Sequence, residues 1–122
     1  MGINIVLVDG HDATGTGLAR HLTRDARLAL LGTTLSVEEA ATFLRFMEPD
    51  VILVDAFGNA DALAETCRRL KRVTAARLVA LVASMTGHAW QMIKAAGADH
   101  YLLKQLDSDW PGRELRTLAG TA

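Results

Sequence analysis

Five short apolar runs recur along this chain at near-regular intervals, covering 3–8, 28–33, 51–54, 77–83 and 99–103. Most are apolar at consecutive positions rather than alternate ones, and Val51, Ile52, Leu53 and Val54 contain no polar residue at all. A strand reads that way when both of its faces are buried, as in a parallel sheet. The stretches between the runs carry helical periodicity and predict helices over 12–24, 36–47, 59–72 and 87–96, with a weaker one near 112–119. No hairpin turn links one run to the next. Strand and helix alternating in this way imply a doubly wound α/β fold, because right-handed crossovers put helices on both faces of the sheet.

Local signals agree with these boundaries. Ser36 followed three residues later by Glu39 is a capping-box start for the helix over 36–47. Pro49 and Asp50 separate that helix from the next strand, since the residue before a proline is pushed out of helical geometry. Gly97 is placed to cap the helix over 87–96 in a left-handed conformation. The chain has 122 residues, half of them hydrophobic, which suits one domain over 1–122. From Asp107 to Gly112 it reads as a loop, leaving about two helical turns before Ala122. The expectation is therefore a short last helix, or a natural chain that continues.

Composition excludes several classes. A formal net charge of -1 offers no bulk electrostatic attraction for nucleic acid. Cys67 is the one cysteine, so neither an internal disulfide nor a cysteine metal cluster can form. His11, His21, His88 and His100 are scattered without metal spacing. No apolar stretch reaches membrane-span length and the N-terminus is strand-like, so a soluble cytoplasmic protein is expected. Gly15 and Gly17 follow the first strand but lack the third glycine of a dinucleotide fingerprint, which argues against an enzyme of that type. Arg68, Arg69, Lys71 and Arg72 read as the solvated face and C-terminal charge of a helix.

Three charges close three of the runs: Asp9, Asp55 and Lys104. In an open α/β sheet the carboxyl ends of the strands form the site-bearing edge. Two aspartates and a lysine converging there suggest a pocket for a phosphoryl group and a divalent cation. Taken singly, each has an ordinary reading. An aspartate at a strand end is most often a helix cap, and Lys104 could simply offset the carboxylates.

The segments Val6 to His11, Pro49 to Asp55 and Gly97 to Lys104, in that order and spacing, resemble the receiver domain of two-component response regulators. The likeness covers nearly the whole chain and is greatest to receivers that precede a helix-turn-helix output domain. It implies a flavodoxin-like five-stranded parallel sheet in the order 2-1-3-4-5. It implies that Asp55 occupies the phosphoacceptor position, served by a histidine kinase or a small phosphodonor. Asp9, Asp55 and the backbone carbonyl of Phe57 become Mg²⁺ ligands, Lys104 pairs with the phosphoryl group, and Tyr101 is the aromatic switch residue. It further implies a homodimer through the helix over 87–96, the strand over 99–103 and the last helix. A DNA-binding output domain would lie outside this chain, and no membrane is involved.

The chain departs from that pattern at three places. Gly10 stands where a second acidic metal ligand is expected, so Mg²⁺ binding should be weak. Val82 replaces the Ser or Thr whose hydroxyl binds phosphate; valine keeps the shape but not the hydrogen bond. Gln105 follows the lysine in place of a proline. Asp12 could supply the missing carboxylate, although its ordinary role is an N-cap, and Ser84 and Thr86 offer hydroxyls beyond Val82. The expected protein is an atypical receiver, with impaired or absent phosphorylation, that acts on an output by dimerisation or protein contacts. The alternatives are a working phosphoacceptor and a small-ligand-sensing pseudo-receiver. Trp90 and Trp110 are either interface anchors or packed against the domain's own helices.

Overall fold

Apolar residues at consecutive positions along a strand must be divided between two faces, and in this sheet the residues of both faces are buried. The computed structural model describes residues 2–9, 22–55, 60–82 and 84–103, with Asp9 described by its backbone. Within them lie strands β1 (Ile3–Asp9), β2 (Leu28–Thr34), β3 (Val51–Asp55), β4 (Arg77–Val82) and β5 (His100–Leu103). Helices α1 (Val37–Phe43), α2 (Ala60–Lys71) and α3 (Gly87–Ala95) alternate with the later strands. Every strand pairing is parallel and the order is β2-β1-β3-β4-β5, the flavodoxin-like arrangement. The expected helix over 12–24 is described only at 22–24, which are helical, and the one near 112–119 lies outside the described residues.

Alternation sorts the core. Val6 and Val8 of β1, Ile52 and Val54 of β3, and Leu78 and Ala80 of β4 face one layer. There they meet Val37 and Ala40 of α1, Leu63, Ala64, Cys67 and Leu70 of α2, and Ile93 of α3. The α2 residues recur at helical spacing, which is why that helix lies flat on the sheet. The intervening residues Ile5, Leu7, Val51, Leu53, Val79 and Leu81 face the other way and pack with Leu22, Leu28 and Leu102. Removing one of these fully buried leucines to alanine would cost about 2–5 kcal/mol.

The caps follow the sequence. The Ser36 hydroxyl accepts from the Glu39 amide at 3.1 Å, opening α1. That helix ends at Phe43, earlier than its apolar pattern suggests, because turn bonds from Arg45 to Thr42 and from Phe46 to Phe43 close it ahead of Pro49. At the end of α3 the Ala98 amide donates to the Ile93 carbonyl at 3.2 Å and the Gly97 amide to Lys94 at 3.0 Å. This is a Schellman cap, with Ile93 and Ala98 buried in the same cluster. Gly97 has φ +119°, and a Cβ there would lie 2.5 Å from Cγ of Lys71. Gly32 is needed for a different reason: a Cβ would meet the Phe43 ring at 2.7 Å, so glycine lets α1 close on β2.

The amino edge of the sheet is tied by two aspartates. The Asp50 carboxylate accepts from the Asn4 amide at 2.8 Å, and its own amide donates to the Asn4 carbonyl at 2.8 Å. Asp99 repeats the device, accepting from the Leu78 amide at 2.9 Å and from Lys71 Nζ at 3.1 Å. The basic run on α2 is met by acids: Arg68 pairs with Glu65 at 2.9 Å, and Arg69 with Glu38 of α1. The Arg69 hydrogen bond holds the Glu38 carboxyl below its ordinary range.

Gly97→Ala should lower unfolding stability by about 1–2 kcal/mol, because an L-residue is strained at that dihedral. Urea denaturation with an unchanged slope checks it. Burial pushes the Cys67 thiol up from 9.0 to about 11. The unfolded chain releases that proton first, so stability should fall by about 2 kcal/mol as pH rises from about 9 to about 11. A Cys67→Ala variant should lose that component of the alkaline stability profile.

Candidate functional site

A parallel sheet brings all its strand ends of one polarity to a single edge, and register decides which of them are neighbours. At the carboxyl edge Asp9 and Asp55 are direct register partners across β1 and β3. Adjacent strands lie about 4.8 Å apart, so two carboxylate-bearing residues share one corner of the sheet. Asp55 is only 1% exposed. A buried carboxylate is expensive unless charge or hydrogen bonds meet it, and a corner that tolerates one is suited to binding a cation or an electrophile.

Across β4, Asp55 pairs with Leu81, which places Val82 one residue beyond it at the same edge. Val82 pairs in turn with Leu103 of β5, and Ala80 with Tyr101. Val82 is partly buried and packs with the cluster that contains Ile93 and Ala80. The structure therefore brings Asp9, Asp55 and Val82 together by backbone register, with Tyr101 on the neighbouring strand. Gly10, Asp12, Phe57, Lys104 and Gln105 lie outside the described residues. Among the described residues, no group of three His, Cys, Asp or Glu side chains is placed to hold a metal ion.

Thr86 resolves one question left by the sequence. Its hydroxyl accepts from the Ala89 amide at 3.1 Å and caps α3, so that hydroxyl is engaged at the helix start. Ser84 is exposed. The sequence names no specific partner for Tyr101. The Trp90 ring meets it edge-on, with centroids 4.9 Å apart and planes at 70°. The available signal was helical spacing: Trp90 lies three residues before the buried Ile93, hence on the same face of α3.

Several solved structures share this architecture. A LuxR-family two-component response regulator from an Aurantimonas species superimposes with a TM-score of 0.80 at 22% identity, over 98% of this chain and 86% of that one. A response regulator from Thermotoga maritima gives 0.79 at 22% identity, over 99% and 100% of the two chains. The signal receiver domain of the NarL regulator from Mycobacterium tuberculosis gives 0.77 at 19%, over 99% and 98%. This chain has the receiver fold.

In sequence, the response regulator protein VraR of Staphylococcus epidermidis is 25% identical over 105 residues, covering 85% of this chain and 50% of that protein. The chain thus spans about half the length of the curated relatives it matches. No protein-family model matches it. Among the described residues, no helix is long and apolar enough to cross a membrane. Val82 is the last residue of β4, at the carboxyl edge of the sheet. Val82→Thr should fold and lose about 1 kcal/mol, the lower part of the range for placing a hydroxyl in a partly apolar setting. Urea denaturation measures that loss.

Proposed function

We propose that this chain is the receiver domain of an atypical response regulator, in which phosphorylation of Asp55 is impaired and output is controlled by protein contacts. The supporting observation is the corner itself: a buried Asp55 in register with Asp9, beside a valine instead of a hydroxyl residue. The nucleophile position is kept while a phosphate-binding group is lost. In the sequence, Gly10 follows Asp9 where the receiver resemblance expects a second acidic residue.

Asp9 and Asp55, with the Phe57 carbonyl and Asp12 as further oxygen donors, would hold Mg²⁺, whose charge would offset the negative charge gathered as a phosphoryl group approaches. An oxygen of the Asp55 carboxylate would attack phosphorus, and the donor would leave with its electron pair. Lys104 would pair with a phosphoryl oxygen. With Val82 at the end of β4, that side chain can offer only van der Waals contact in place of a hydrogen bond. Partners on this reading are a histidine kinase, a second copy of the chain through α3, β5 and the last helix, and a DNA-binding output domain, all in the cytoplasm.

A working phosphoacceptor is the second reading, favoured by the register pairing of Asp9 with Asp55. Intact-mass analysis after incubation with Mg²⁺ and acetyl phosphate separates the two. The wild-type chain should show little phosphoryl adduct, the double variant Gly10→Asp, Val82→Thr substantially more, and Asp55→Asn none. A near-complete wild-type adduct that disappears in Asp55→Asn would establish the second reading. An adduct that persists in Asp55→Asn would remove Asp55 from the phosphoacceptor position altogether.

A further inference from the structure

Tyr101 is the single tyrosine of the chain, and among the described residues it packs, partly buried, against the apolar cluster. Its register partner is the fully buried Ala80, whose small side chain leaves space above the sheet for an aromatic ring. Val82 follows two residues along on the same face of β4. From the helix side, Trp90 meets the tyrosine edge-on at 4.9 Å. Both rings pack on the buried cluster, as do Val82, Met85 and Met92.

The helix that carries Trp90 is held at both ends. Thr86 caps its start, Ile93 is buried one turn beyond Trp90, and the Schellman bonds at Gly97 fasten its end. A tryptophan on such a helix has little freedom to follow a moving neighbour. On β4, two residues beyond the register partner of Tyr101, a valine methyl cannot be drawn toward a charge as a hydroxyl can. Among the described groups around the ring, Ala80, Val82 and Trp90 carry no hydroxyl or charged group that a phosphoryl group at Asp55 could attract.

We infer that Trp90 is a positioning residue that clamps Tyr101 against β4 and β5, so that the face formed by α3 and β5 keeps one conformation whatever the state of Asp55. The inference deepens the proposed receiver function and rests on it for the meaning of Tyr101 as a switch position. A two-state element responds only to a differential interaction with its two states, and the clamp removes that difference at the aromatic end. The surface presented to a partner would then be preset by packing.

Labelling with 3-fluorotyrosine reports Tyr101 alone, and Trp110 does not interfere because the fluorine is read directly by NMR. The wild-type chain should give one sharp fluorine line with a small solvent-isotope shift, unmoved by Mg²⁺ and acetyl phosphate. Trp90→Leu should broaden or split the line and raise the solvent-isotope shift; Trp90→Phe, which keeps an aromatic edge, should fall between. If both variants retain a single sharp line with the wild-type isotope shift, Trp90 is not the clamp. A wild-type line that moves when intact mass shows an adduct would also overturn the inference. An adduct without movement would sink impaired phosphorylation and leave the clamp standing, so the two failures are separable.

Discussion

Burial of one parallel sheet on both faces is the constraint from which the remaining features follow. Because Val51 to Val54 and their neighbours on β1 and β4 are covered from two sides, the strand interiors have no room for charge. Ionisable groups are displaced to the two edges where strands begin and end. Chemistry is therefore confined to strand termini, and the register between strands decides which termini meet. The pairing of β1 with β3 sets Asp9 beside Asp55, and that of β3 with β4 sets Val82 next to them.

The two edges use aspartate differently. At the amino edge Asp50 and Asp99 spend their carboxylates on backbone amides of Asn4 and Leu78, tying the start of β3 to β1 and the start of β5 to β4. Those bonds stabilise the sheet and commit the oxygens. At the carboxyl edge Asp55 is buried in a corner next to a second acidic position. Backbone register alone gathers two acidic residues at that corner, whereas the amino-edge aspartates are each tied to an amide.

Much of this was legible in the chain. Unbroken apolar runs identified buried strands, and Ser36, Pro49 and Gly97 marked helix ends through local backbone chemistry that needs no tertiary contact. The early end of α1 was less legible, because apolar periodicity continues past Phe43 into residues that turn toward Pro49. The backbone roles of Asp50 and Asp99 were hidden as well. Each depends on an amide supplied by a strand remote in sequence, Asn4 in one case and Leu78 in the other. The partnership of Trp90 with Tyr101 was only half visible: helical spacing shows which way Trp90 faces, but not what it meets.

By itself, the sequence determined the strand–helix alternation, the positions of the caps, and the chemical types that close the strands, such as Asp9, Asp55 and Val82. Those are local properties, set by side-chain chemistry and periodicity along the chain. Only the tertiary structure decided that Asp9 and Asp55 are register partners, that Val82 stands at the same corner, and that Tyr101 meets Trp90 edge-on. These depend on how strands and helices far apart in sequence slide past one another before packing stops them. Periodicity sets which face a residue takes; close packing across elements sets which residue it touches.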